Sequence, residues 1–145
     1  MSYSKDVDLA ISTARAAHFG QVDKSGVDYI LHPERVASRV ETPEEKVVAW
    51  LHDVVEDSDV TLDMIRDRFG NDTAKAVDAI THREGESWAD YLTRVKGNPI
   101  AKSVKVSDLI DNSNLSRLTV VRAKDVKRQA KYNRALIYLM DVDGE

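Results

Sequence analysis

The chain has 145 residues, 42% of them hydrophobic and 6% aromatic, with a net charge of −4 from 21 basic and 25 acidic side chains. This length suits one domain, residues 1–145, with a sizeable core, and the acidic balance argues against a general nucleic-acid binder. The absence of cysteine excludes disulfides and thiolate-rich zinc sites, and no apolar run approaches the roughly 20 residues of a membrane span.

The N-terminal run Met1-Ser2-Tyr3-Ser4-Lys5-Asp6 lacks an apolar signal core, so a cytoplasmic protein with no membrane partner is expected. Apolar spacing is mostly helical. Val7, Ile11, Ala14 and Phe19 predict a helix from about Asp6 to Phe19, ended by Gly20. Gln21 to Leu31 reads as a loop with Ser25-Gly26 as its turn. Pro33 suits the first position of a helix to about Val40, with His32 at its mouth. Thr42-Pro43-Glu44-Glu45 has the pattern of a capping box and opens a helix expected to reach Glu56. Helices follow at Leu62–Phe69, stopped by Gly70, at about Asp72–Thr81 and at Ser87–Val95. Pro99 opens another, which carries Asp108 and Asn112. The last runs from about Ala123 to Met140, and Asp141 to Glu145 are expected to fray. The sum is an all-α bundle of about seven or eight helices.

The most informative stretch is Val47-Val48-Ala49-Trp50-Leu51-His52-Asp53-Val54-Val55-Glu56-Asp57. Val48, Leu51 and Val55 form an inward stripe with His52 on its edge. Glu56 sits four residues beyond His52, so the two project from neighbouring positions on one face, and Asp57 stands in the same relation to Asp53. Polar groups in an apolar helix are costly unless paired, and a divalent cation would pair them. The competing interpretation is a solvated helix end whose histidine bonds a carbonyl.

A second helix has the same character. Ala101, Val104, Ile110, Leu115 and Leu118 suggest a buried surface, and Asp108 and Asp111 interrupt the stripe 104, 108, 111, 115. Lys105, three residues away, could neutralise Asp108 without any metal. His32 is by itself an ordinary helix-mouth histidine. Together His32, His52, Asp53 and Asp108 form a mixed imidazole and carboxylate set suited to Mn, Fe, Mg or Zn. They come from three segments, so spacing alone does not bring them together.

In order along the chain, Ala17-His18-Phe19-Gly20-Gln21, Tyr29-Ile30-Leu31-His32-Pro33, Leu51-His52-Asp53-Val54-Val55-Glu56-Asp57, Phe69-Gly70 and Lys105-Val106-Ser107-Asp108 with Asn112 resemble the HD-domain phosphohydrolases. Within them they are most similar to the RelA/SpoT-type (p)ppGpp hydrolases and their small single-domain relatives. The resemblance covers roughly residues 8–118. It implies an all-α HD fold and one divalent metal ion, Mn in most members, on His32, His52, Asp53 and Asp108. It implies Glu56 and Asp57 as the catalytic acidic pair, with Asn112 against a small phosphorylated nucleotide substrate, whose phosphates Lys24 and other basic residues could neutralise. The expected reaction removes pyrophosphate from the 3′ position of (p)ppGpp or a related nucleotide. The length leaves no room for the additional domains of the long members.

Three positions depart from the pattern. Asp23-Lys24 stands where Arg-Lys is common, Leu109 where an Arg commonly follows the metal-binding Asp, and Asp111 where a His commonly precedes the Asn. The resemblance therefore carries metal and acid chemistry further than guanine recognition. Another HD phosphohydrolase, or a non-catalytic nucleotide-binding module, remains an alternative. Among the other polar and aromatic residues, His18 reads as structural and His82-Arg83 as a solvated loop. Arg122, Lys124, Lys127, Arg128 and Lys131 read as a solvated helix face. Trp88, Tyr132, Arg134 and Tyr138 read as core or rim packing.

Overall fold

A computed structural model describes residues 2–141. Among them lie eight helices of eight residues or more: α1 Ser2–Ala17, α2 Leu31–Ser38, α3 Pro43–Leu51, α5 Leu62–Phe69, α6 Asn71–Ile80, α7 Trp88–Lys96, α8 Pro99–Ser113 and α9 Ala123–Met140. A single turn, α4 Val54–Asp57, follows α3, and a 3-10 turn at Leu115–Arg117 follows α8. No strand occurs among the described residues, and only an isolated bridge joins Val22 to Asp28. The all-α expectation holds. The fraying expected of the last residues falls, after Asp141, outside the described residues. No described helix is long and apolar enough to cross a membrane.

Helix α3 lies at the centre. Val47, Val48, Ala49, Trp50 and Leu51 are all buried, so the C-terminal half of this helix is apolar on every side, as a surrounded segment must be. It packs against α1, α2, α6 and α8. Helix α8 in turn packs against α2, α3, α6, α7 and α9. Helices α2, α3 and α8 thus meet pairwise, and the His and Asp residues lie where they converge.

Local chemistry sets the element ends. Thr42 Oγ1 accepts from Glu45 N–H at 3.1 Å, and Glu45 Oε1 accepts from Thr42 N–H at 2.9 Å, completing the capping box. Asn98 caps α8 by accepting from Ala101 N–H, and Pro99 takes the first position. Gly70 ends α5 with φ 96°, a backbone state that favours glycine.

Two boundaries differ from expectation. Helix α2 starts at Leu31, so Pro33 is its third residue, still in the first turn where its missing N–H costs nothing. The helix expected to reach Glu56 stops at Leu51. Asp53 adopts φ −108° and ψ 0°, and the chain re-enters helix only at Val54. The break coincides with the His-Asp pair, whose side chains both reach the cluster. Ile110 also departs from its expected burial: it is 43% exposed, while Leu109 takes the core position.

Candidate metal centre and active site

The structure brings His32, His52, Asp53 and Asp108 together, with one ligand atom of each within 4.8 Å of all the others. Asp108 Oδ1 lies 2.8 Å from His32 Nε2 and 3.3 Å from His52 Nε2. Asp53 Oδ2 lies 3.0 Å from His52 Nε2 and 3.7 Å from His32 Nε2. Both histidines and Asp108 are buried, and Asp53 is nearly so.

The outer nitrogen of each imidazole is already committed. His52 Nδ1 is 2.6 Å from Ala49 O, which can only accept, so Nδ1 carries the proton. His32 Nδ1 is 2.7 Å from Asp111 Oδ2 and donates to that carboxylate. Each ring therefore turns Nε2 toward carboxylate oxygens. A lone pair facing those oxygens would be repelled, so a positive charge must lie between them. One source is a second proton on each ring. Burial opposes that proton on His52, but Asp53 and Asp108 outweigh burial and hold His52 well above its ordinary value. His32 is raised in the same way, against burial, by Asp108 and Asp111. A divalent ion can replace both protons, and two imidazole nitrogens with two carboxylate oxygens form a suitable donor set for one. The residues present fit the ion.

Asp108 divides its two oxygens. Oδ1 faces the histidines and accepts from Asn112 Nδ2 at 3.1 Å, while Oδ2 accepts from Lys105 Nζ at 2.8 Å. Lysine pairing and cluster membership are thus compatible. Burial would raise the Asp108 carboxyl, but Lys105 and the two histidines hold it well below the usual range. Tyr29 donates its hydroxyl to Asp53 Oδ2, which locates a purpose for the tyrosine of the Tyr-Ile-x-His-Pro motif.

Glu56 and Asp57 lie on α4, at the exposed edge of the cluster. The backbone N–H of His82 donates to Glu56 Oε1 at 2.6 Å, fixing the carboxylate from a neighbouring loop. Partial desolvation and the nearby Asp53 and Asp57 raise Glu56 above its ordinary value despite that bond. Asp57 is also raised, by desolvation and then by Asp53. Gln21 Nε2 donates to Asp57 O at 2.8 Å, and Gln21 Oε1 meets His18 Nδ1 at 2.9 Å. His18 is buried and, through Gln21, ties the end of α1 to α4, in line with its structural reading.

A cleft of about 400 Å³ reaches the cluster at His32. His32, Tyr29 and Asn112 line its inner end, and Lys24, Arg35, Arg117 and Arg128 give its walls positive charge. Lys24 is therefore at the cleft, and Asn112 bridges cleft and cluster. Arg128, read from the sequence as part of a solvated face, instead turns into the cleft and pairs with Asp125 at 2.8 Å. Tyr132 also lines the cleft rather than serving only as packing.

All three departures have structural reasons, and that of Asp111 is its bond to His32 Nδ1. Asp23 Oδ1 accepts from Ser25 N–H at 2.8 Å and Val27 N–H at 3.0 Å, so it builds the turn of the loop. Leu109 is 1% exposed and belongs to the core. The residues that sequence reasoning missed are Asp111, Arg35, Arg117, Arg128 and the His82 backbone. Asp111 left a signal by interrupting the apolar stripe, but its partner lies 79 positions away. The arginines left none, because a cation facing a cleft has the same sequence signature as one facing solvent.

A scan against models of protein families finds no match. Among curated proteins, the chain is 30% identical over 141 residues to a guanosine-3′,5′-bis(diphosphate) 3′-pyrophosphohydrolase of Aquifex aeolicus, covering 89% of this chain and 20% of that one. It is 31% identical over 124 residues to a probable GTP pyrophosphokinase of Mycobacterium leprae, covering 77% and 16%. The chain thus spans a fifth or less of the length of these relatives. Among solved structures, it matches one described as a metazoan ortholog of SpoT that hydrolyzes ppGpp and plays a role in starvation responses. The TM-score is 0.77 at 19% identity, over 92% of this chain and 84% of that one, which is a likeness of fold. The helical fold, the converging His-Asp cluster and these matches make the chain a relative of the SpoT/RelA-type (p)ppGpp hydrolase domain, of the HD kind.

Proposed function

We propose that residues 1–145 act as one domain that hydrolyses a nucleotide carrying a 3′-diphosphate, of the (p)ppGpp type, with release of pyrophosphate. One observation carries this reading: a buried two-His, two-Asp cluster, with an acidic pair on the adjoining turn, reached at His32 by a cationic cleft. His32, His52, Asp53 and Asp108 would hold one divalent ion, with Mn the first choice. When bound, such an ion supplies Lewis acidity toward a water and a phosphoryl oxygen.

The side chains do the rest. Glu56, oriented by His82 N–H, takes a proton from the attacking water at its other oxygen, Oε2. Its raised pKa brings it nearer the working range of a general base. Asp57 stands beside it as the second acid. Lys24, Arg35, Arg117 and Arg128 neutralise the phosphates, and Asn112 positions the nucleotide against Asp108. One bond forms between the water oxygen and phosphorus, and the bond from that phosphorus to the 3′ oxygen breaks. Pyrophosphate leaves, and a proton passes to the 3′ oxygen.

The placements of Asp23 and Leu109 favour a second reading for the base. Neither presents a cation to the cleft, so the same reaction on a related phosphorylated nucleotide is the competing assignment. Turnover of ppGpp by Mn-loaded protein, with pyrophosphate and the remaining nucleotide identified, tests the first reading. A panel of 3′- and 5′-phosphorylated nucleotides tests the second. No turnover of any of them by Mn-loaded protein would refute both.

A further inference from the structure

Asp111 carries neither a proposed ion contact nor a proposed substrate contact, yet its carboxylate is held on both oxygens by side chains from other segments. It has no exposed surface. Oδ2 accepts from His32 Nδ1 at 2.7 Å, and Oδ1 accepts from Arg35 Nε at 2.8 Å and Arg39 Nη1 at 3.2 Å. Arg117 Nη2 lies 3.6 Å from Oδ2 and donates to the Asp111 backbone oxygen at 2.9 Å. An ionised carboxylate without surface is costly unless paired and hydrogen-bonded, and here the three guanidiniums meet that condition. The group can therefore stay charged beneath His32.

We propose that Asp111 is a positioning residue: its carboxylate locks the His32 ring in the orientation and tautomer that present Nε2 to the ion site, and the three arginines hold that carboxylate in place. The inference rests on the metal-centre reading for its consequence but not for its geometry. The two ring nitrogens of histidine are interchangeable in solution, and a ring free to flip offers Nε2 to the ion only part of the time. An acceptor fixed on Nδ1 removes that freedom and raises the basicity of Nε2. His52 achieves the same end with a backbone carbonyl, Ala49 O. His32 sits in the first turn of α2 and finds its acceptor 79 positions away on α8. The Asp111 contact therefore also locks the relative position of two helices that supply ligands. Arg35 and Arg117 belong to the cleft wall as well, so the same carboxylate sets where two of its cations stand.

The test uses Asp111→Asn and Asp111→Ala in the full chain, with helical content checked by circular dichroism. On metal-free protein, nitrogen-resolved NMR should show a slowly exchanging His32 Nδ1–H in the wild type. That signal should persist in Asp111→Asn, whose amide oxygen can still accept, and vanish or exchange rapidly in Asp111→Ala. Mn²⁺ titrated into metal-free protein should bind about 10- to 100-fold more weakly to Asp111→Ala, the usual effect of losing a partner behind a ligand. Asp111→Asn should lie between. Loss of the Nδ1–H signal in Asp111→Ala supports the positioning role even if the wild type itself binds no Mn²⁺, an outcome that would count against the metal reading alone. An unchanged His32 signal in Asp111→Ala would overturn the proposal, as would Mn²⁺ affinity equal to wild type. If Asp111→Ala does not fold, Arg35→Gln combined with Arg39→Gln provides the second route. Removing two counter-charges should weaken Mn²⁺ binding without touching His32, and unchanged affinity there also overturns it.

Discussion

At the residue scale, each polar group near the cluster does a separable job. Glu56 touches no proposed ligand, and its carboxylate is held by His82 N–H. Glu56→Gln should therefore retain Mn²⁺, measured by titration, while kcat falls on the order of 10²-fold or more, as for a positioned base. Equal loss of metal would make Glu56 a ligand instead. His52→Ala and Asp108→Ala should lose both ion and turnover, because each removes a donor from a cluster of four. Lys24 lies on the cleft wall in an exposed position. Lys24→Ala should raise KM roughly two- to five-fold at constant kcat, the range that an exposed ion pair supports. Replacing Asp23 would give a less direct answer, since its carboxylate also holds two backbone N–H groups of the loop.

At the element scale, α3 is the scaffold, and its N-terminus is fixed by the Thr42–Glu45 box. Thr42→Ala should destabilise the protein by about 1 kcal/mol in urea denaturation, the usual worth of such a cap. The box also gives a pH dependence with a definite sign. Burial would raise Glu45, but Thr42 N–H and the hydroxyls of Ser103 and Thr42 outweigh burial and lower it below its ordinary 4.5. Its contribution to stability is then fully present above about pH 4.5 and fades as pH falls through the lower folded value. Glu45→Gln should remove that increment of acid sensitivity, read as a shallower loss of urea midpoint below pH 4.5. The interruption at His52-Asp53 matters at this scale too. The helix that continues from Val54 carries the acidic pair on its own turn, so the ligands and the acids are placed by two short helices rather than one.

At the scale of the whole molecule, the ion site lies where α2, α3 and α8 meet, so ion binding and folding are linked. An ion that binds only the folded state stabilises it by about 2.7 kcal/mol at a hundred times its Kd. Mn²⁺ should therefore raise the Tm of the wild type and leave that of Asp108→Ala unchanged, as measured by calorimetry. Leu51 is fully buried immediately before the ligands. Leu51→Ala should cost about 2–5 kcal/mol through lost burial and the cavity left behind. A smaller effect would mean that the neighbouring helices close around the gap.

By itself, the sequence determined what depends on near neighbours. The helical periodicity set the all-α class. Thr42, Pro99 and Gly70 marked helix ends, because caps, prolines and left-handed glycines act within a turn. His32, His52, Asp53 and Asp108 were legible as polar residues set in apolar surroundings or at a helix mouth, where a motif could join them. Tertiary structure alone decided what depends on distant partners. It brought the four side chains within 4.8 Å of one another and broke the helix at Asp53. It also sent Arg128 into the cleft and Leu109 into the core. It decided as well that Asp111 sits beneath His32 rather than facing solvent. The physical reason is that a side chain's charge state and orientation follow from the groups packed against it. Here those groups come from helices brought together only when the hydrophobic faces of α2, α3 and α8 are buried against one another.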